Sequence, residues 1–340
     1  MRKELGTFIL LVVLCAVVAA INPRFVGGAN LQNMARLIGM YGIFSIGLGV
    51  VIITGGIDLS VGSVFALLGV LLSITLTTWH WPPALAVAAV MCVSVGLGLV
   101  HGLLVTRVRI QPFIVTLCGL LFYRGLARFI ANDETKGFGT GQGFEWLTAL
   151  ATGSLFGVPA PFILLVVVAA VMWVVLHRSI YGRYLFAVGR NEEAARYSGV
   201  NARAVVASAY VVSGLTAGVA GILLAFYTNS VSPSSHGNFF ELYGIAAAVL
   251  GGCSLRGGEG SVVGILIGTA LLQVLQNLVN LLGIPSSLNF AVMGAVILIG
   301  VVADQLLKRR QPLAVARESA GGGTPPPPRM AAGSAGGAGD

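Results

Sequence analysis

The sequence predicts an all-α, polytopic integral membrane protein of about ten transmembrane helices, with both termini cytoplasmic. Three observations carry this. Hydrophobic residues make up 56% of the 340 residues, while Asp, Glu, Lys and Arg together make up 9%, against about 25% in a soluble chain. The mean hydropathy is +0.91. Apolar stretches of the ~20 residues that a helix needs to cross a bilayer recur along the chain. With 12 acids and 20 bases, a water-facing surface for this length cannot be built. A soluble domain, a coiled coil and a largely disordered chain are excluded.

The spans follow from stretches free of Asp, Glu, Lys and Arg. They are expected at 5–21, 34–54, 61–79, 84–106, 112–131, 160–177, 205–227, 241–252, 262–282 and 288–306. Breaks at Trp81-Pro82-Pro83, Pro233 and Gly283-Ile284-Pro285 divide the longer runs. The eighth is too short to cross alone and runs into a glycine-rich break, so a broken or partly re-entrant helix is expected.

Orientation comes from the bases. With Met1 inside, Arg2, Lys3, Arg107, Arg109, Arg178, Arg183, Arg190, Arg196, Arg203, Arg256, Lys308, Arg309, Arg310, Arg317 and Arg329 are cytoplasmic. That leaves Arg24, Arg36, Arg124, Arg128 and Lys136 outside. The net charge of +8 is explained by this asymmetry and does not point to nucleic acid. The first span resembles a signal peptide, with Arg2-Lys3, an apolar core and Ala19-Ala20. It is expected to stay, because removing it would place the basic loops on the wrong side. Residues 1–311 read as the transmembrane domain. Residues 312–340, with Pro325 to Pro328 and Gly/Ala/Ser runs, read as a disordered cytoplasmic tail.

Catalytic chemistry is not suggested. Cys15, Cys92, Cys118 and Cys253 are scattered and form no CxxC. Lys3, Lys136 and Lys308 are the only lysines, and none completes a GxxxxGK[ST] phosphate loop. No HExxH, GxSxG or carboxylate pair occurs, so no catalytic, cofactor or metal residues are assigned. His101 lies within a span and reads as a packed, hydrogen-bonded histidine rather than a proton relay.

Four features stand out. The run Gly55-Gly56-Ile57-Asp58-Leu59-Ser60-Val61-Gly62-Ser63 and the run Gly251-Gly252-Cys253-Ser254-Leu255-Arg256-Gly257-Gly258-Glu259-Gly260-Ser261 align as a degenerate repeat. Glycine pairs let helices break and backbones approach. Asp58 or Ser60 can cap the helix that follows; contact of Asp58 with a substrate is the other reading. In the 178–204 loop, Asn191 to Gly199 reads as a short helix, capped by Asn191 with Gly199 at its C′ position. Gln273, Gln276, Asn277 and Asn280 fall on one helical face of the ninth span. That face is either interhelical hydrogen bonding or a polar wall of a pathway for an uncharged, hydroxyl-rich substrate.

The first glycine run resembles the signature of ribose-type sugar ABC importer permeases, which share a superfamily with branched-chain amino acid permeases. The run Ala187-Val188-Gly189-Arg190-Asn191 through Val200 is similar to their A-x-G-x-N-x-x-A-A-x-x-S-G loop. The second glycine run is similar to their GG-T-S-L-x-GG-x-G motif, and Tyr123-Arg124-Gly125-Leu126 also resembles that family. Arg190, Cys253 and Glu259 depart from the family pattern. The resemblance covers about residues 5–307. It implies a multi-pass inner-membrane permease that moves a monosaccharide inward by alternating access and performs no covalent chemistry. It also implies three partners: a cytoplasmic ABC ATPase subunit, a periplasmic sugar-binding protein, and a second permease copy or paralogue in the lipid bilayer. Gly189, Asn191, Ala194, Ala195, Ser198 and Gly199 then carry over as the coupling element. Branched-chain amino acid uptake and an ion-coupled secondary carrier are the alternatives.

Overall fold

Each apolar run becomes a helix, and the proline, glycine and small polar residues around it set its ends. The computed structural model describes residues 2–139 and 143–285, with positions 288, 291, 292, 294, 295 and 298. The tenth expected span, 288–306, lies outside the described residues apart from those positions, and so does the tail after Gln311.

Helix α1 (Arg2–Ile21) is exposed over most of its surface, and Val18 packs with Phe25, Met34 and Val274. A 3₁₀ turn, Pro23–Val26, follows; the Asn22 side chain opens it by accepting the Arg24 N–H at 3.0 Å. Helix α2 (Gly28–Ile53) is buried almost without interruption from Gly39 onward. It begins well before the expected position 34, because Asn30 and Gln32, which break the apolar run, find partners outside the helix. Helix α3 (Val61–Ser73) continues through a π turn, Ile74–Thr78, and α4 (Pro83–Leu103) through Leu104–Val108. Helix α5 is Pro112–Ile130. Proline near the start of α4 and α5 suits a position whose N–H has no partner within the helix.

Residues between α5 and the next long helix form strand β1 (Lys136–Gly137), helix α6 (Glu145–Thr152) and a hairpin of β2 (Ser154–Leu155) and β3 (Val158–Pro159). Helix α7 (Ala160–His177) leads to α8 (Ile180–Arg190) and α9 (Glu192–Tyr197). Helix α10 (Ala202–Thr228) ends at β4 (Ser230–Val231), which pairs antiparallel with β1 in the register Lys136↔Val231. Helices α11 (Phe240–Leu250) and α12 (Val262–Leu281) complete the described part. Among the described residues, eight helices are long and apolar enough to cross a membrane, and α11 is a shorter apolar helix. The all-α membrane architecture is as the composition predicts. Helices α6 and α8 are not among the predicted elements: α6 is too short to register as a span, and α8 is amphipathic, burying Leu185 and Val188 under a basic face.

Helices α2 and α10 form the centre, with α4, α3 and α11 around them. Close approach is made possible by missing side chains. A methyl group at Gly47 would collide with Thr216 of α10, and one at Gly98 of α4 would collide with the Tyr210 carbonyl. Small residues at such crossings replace the hydrophobic driving force that lipid removes. Helix α7 connects the β2–β3 hairpin to α8, so these mark opposite ends of the bundle.

Candidate functional site: two broken helices in the bundle

The first glycine run does not continue α2. The helix stops at Ile53, Gly55 takes φ +83°, and the chain turns back through 57–60 before α3 starts. Ser60 occupies the cap position of α3. Asp58 does not cap that helix directly. Its carboxylate accepts the Ser60 N–H at 3.0 Å, the Ser60 hydroxyl at 2.7 Å and the Ser213 hydroxyl of α10 at 2.8 Å. Asp58 is 4% exposed. At 1.5 Å per residue, Ser213 lies about 16 Å along α10 from its start, so the acid sits deep in the bundle. Three donors make such burial tolerable for a carboxylate. The Ile57 carbonyl accepts from Thr116 of α5 at 3.2 Å. His101 is buried and hydrogen-bonded to Tyr123 at 2.8 Å, which fits the packed histidine expected from sequence. A cavity of about 10 Å³, room for a single water, lies between Asp58, Ser94 and His101.

The second glycine run lies near the α8 end. Gly258 donates its N–H to the Ile53 carbonyl at 2.8 Å, closing the end of α2. Gly189 of α8 packs on the same carbonyl, where a methyl group would collide. At Gly257, φ +84°, an added Cβ would stand 2.6 Å from the Gly189 carbonyl and 2.9 Å from the Gly55 nitrogen. Gly55, Gly189, Gly257 and Gly258, read from three separate motifs, therefore meet at one backbone junction. Gly251 packs on Gly264 of α12, Gly260 on Cys253 and Ile53, and Gly56 on the Tyr210 hydroxyl. Gly252, at φ +94°, supplies the left-handed turn that ends α11.

Helix α9 has the predicted local form. The Asn191 side chain accepts the Ala194 N–H at 2.9 Å, and Gly199 adopts φ +83°. The Ser198 hydroxyl donates to the Ala194 carbonyl at 3.0 Å. Ala195 is turned inward at 5% exposure, whereas Ala194 and Ser198 are exposed and Tyr197 is 89% exposed. The outward face of this helix is thus built on Glu192, Glu193, Arg196 and Tyr197, with Ala195 as its anchor.

The amide face of α12 is divided. Asn277 and Asn30 of α2 exchange two side-chain hydrogen bonds, at 2.7 and 3.1 Å. Gln273 is 2% exposed, Gln276 is half-buried and Asn280 is exposed.

A second break brings Pro233, Gly62 and Arg124 together with Gly237 and Glu241, which the sequence reading did not single out. After β4 the chain passes through Ser232–Phe239 before α11 begins. Val231 packs on Gly69 of α3, and Gly237 packs on Gly62, where a methyl group would collide with the Gly237 carbonyl and with Glu241. The segment thus descends beside α3. From Gly62 to the far end of the α3 extension at Thr78 is about 24 Å at helical rise. Arg124 of α5 fastens it, donating to the carbonyls of His236 at 2.7 Å, Pro233 at 3.2 Å and Gly62 at 3.2 Å. Glu241, in the first turn of α11, is buried beside Arg124. From the base count, Arg124 was expected on the outer side; its side chain instead reaches into the bundle. The signal available in sequence was an arginine inside an apolar run, which is costly unless it is bonded. Pro233 gave only a break.

A family model described as branched-chain amino acid transport system / permease component matches residues 30–301. The chain is 38% identical over 304 residues to the ribose import permease protein of Bacillus subtilis (strain 168), covering 89% of this chain and 93% of that protein. It is 37% identical over 301 residues to the ribose import permease protein of Escherichia coli (strain K12), covering 88% and 93%. It is 31% identical over 346 residues to the xylose transport system permease protein of the same strain, covering 85% and 88%. No solved structure matches the chain. With eight membrane-length helices and one shorter apolar helix among the described residues, and with a family match over most of its length, this chain is a multi-pass transport permease belonging to the branched-chain amino acid transport system / permease component family.

Proposed function

We propose that the chain is the inner-membrane permease subunit of an ATP-driven importer for a monosaccharide of the ribose type. The observation that carries this is the 35–38% identity to ribose import permeases over 88–89% of the chain. The chain has no phosphate-binding loop of its own, so energy enters through a cytoplasmic ABC ATPase partner. A periplasmic sugar-binding protein delivers the substrate, and a second permease copy or paralogue completes the pair. Helix α9 is the coupling element. Its exposed Tyr197, Arg196 and Glu193 meet the ATPase. Gly189 passes its displacement to Ile53 and Gly258, and hence to both broken helices. Residues 1–311 act as the permease domain, and 312–340 as a tail.

The test is reconstitution of the permease with its ATPase and binding protein in liposomes, followed by uptake of labelled ribose, xylose and leucine. Sugar uptake that needs ATP and all three components is expected. The description of the matching family favours branched-chain amino acid import as a second reading, and leucine uptake without sugar uptake would establish it. Uptake that persists without the ATPase would instead mean an ion-coupled carrier. Tyr197→Ala is expected to weaken co-purification of the ATPase about tenfold, a loss of roughly 1.4 kcal/mol for an exposed aromatic anchor. Normal co-purification and normal stimulated hydrolysis would remove α9 from the coupling role.

A further inference from the structure

The segment Ser232–Phe239 exposes Ser234, Ser235 and Asn238, yet it lies beside the inner part of α3, deep in the bundle. Side chains of this kind are not left facing hydrocarbon. Their hydrogen bonds are local and incomplete. The Ser235 hydroxyl donates to Ser232 at 2.9 Å, Ser232 and Ser234 share a hydrogen bond at 3.2 Å, and the Asn238 amide donates to the Ser234 carbonyl at 3.3 Å. These three exposed side chains can make more hydrogen bonds than those. Phe239, beside them, is 47% exposed and held at φ +66°. Beneath the segment, the His236 Nε2 is buried without a hydrogen bond among the described residues. Arg124 holds the backbone from below through three carbonyls. Helices α3 and α11 both start here, at Val61 and Phe240. Interrupted helices that meet within the membrane form substrate sites in transporters, because irregular backbone is tolerated there only against protein or water.

We propose that this re-entrant segment is the sugar-recognition element of the pathway. Ser234, Ser235 and Asn238 meet the hydroxyls of a neutral monosaccharide, and Phe239 covers its apolar face. Hydroxyls and carboxamides both donate and accept, which matches a sugar's own groups. An apolar wall with a few placed polar groups is the usual make-up of a small-molecule site. The inference rests on the sugar-importer reading and adds a location to it.

The experiment uses the complete reconstituted transporter. Asn238→Ala and Ser235→Ala are each expected to lower ribose uptake about tenfold, the effect of one lost hydrogen bond in the transition between states. They should also change the ratio of ribose to xylose uptake, with complex yield and ATPase co-purification unchanged. In a second arm, Cys15, Cys92, Cys118 and Cys253 are replaced, and cysteine is introduced by Ser235→Cys or Asn238→Cys. A charged, membrane-impermeant thiol reagent should modify both sites, as a water-filled path requires. If the alanine variants transport and discriminate like the parent, the segment is not the recognition element, while the importer reading stands. The same follows if the introduced cysteines resist the reagent and instead cross-link two permease copies, which would make this face a subunit contact. If the parent complex takes up no monosaccharide at all, the importer reading falls and this inference falls with it.

Discussion

Two polar regions lie within the apolar bundle, and they solve the same problem differently. On α12, Asn277 is matched by Asn30 of α2 through two amide hydrogen bonds, and Gln273 is buried. Asn277 there closes on protein, while Gln276 is half-buried and Asn280 exposed. Along Ser232–Phe239, buried Pro233, His236 and Gly237 face the bundle, while Ser234, Ser235 and Asn238 face away from it. The first arrangement joins two helices. The second leaves hydrogen-bonding capacity open at a depth where lipid offers none. A stripe of amides at helical spacing is therefore a weaker pointer to a pathway than a non-helical segment descending beside a broken helix.

The comparison breaks most sharply at Arg124. Its guanidinium satisfies three carbonyls from two elements. Arg124→Gln is expected to reduce thermal stability of the detergent-solubilised permease by roughly 2–3 kcal/mol, as charged hydrogen bonds inside a protein are lost. Uptake should fall below detection. Arg124→Lys should restore part of the stability but little of the uptake, because a single ammonium cannot span three acceptors as a planar fork does. Equal recovery of both would mean that Arg124 serves folding alone. Asp58 comes next. Asp58→Ala leaves the Ser60 and Ser213 donors without their acceptor, which should cost about 1–3 kcal/mol by thermal unfolding. Asp58→Asn keeps an acceptor and should cost less; a larger loss for Asn than for Ala would contradict the hydrogen-bonding account. The smallest effect sharpens the contrast with α12. A double-mutant cycle of Asn30→Leu and Asn277→Leu should give a coupling of about 0.5–2 kcal/mol, with uptake per assembled complex unchanged. A fall in specific uptake without a fall in assembly would move the pathway to the α12 face.

Much of the fold was legible because membrane burial writes itself into composition. The spans at 61–79, 84–106, 112–131, 160–177, 205–227 and 262–282 each correspond to a helix in the structure, since an apolar run of that length has few other options in lipid. Local chemistry was legible too. Asn191 caps α9 and Gly199 takes the left-handed position, because both roles depend on neighbours within four residues. The eighth span, expected at 241–252 as a broken or partly re-entrant helix, is an eleven-residue helix that ends at glycines.

What the sequence by itself determined was an all-α membrane chain, the places where its helices break, and residues able to break them. The tertiary structure alone decided what those breaks do. It brought Gly55, Gly189, Gly257 and Gly258 to one junction, since backbone contact between distant segments leaves no periodic trace. It turned Ala195 inward and Tyr197 outward, because a six-residue helix has no side preference until it is docked. It also drew Arg124 from its expected outer position to three carbonyls of two broken elements. An arginine in an apolar run declares only that it needs acceptors; which carbonyls provide them depends on how α3, α5 and the re-entrant segment pack.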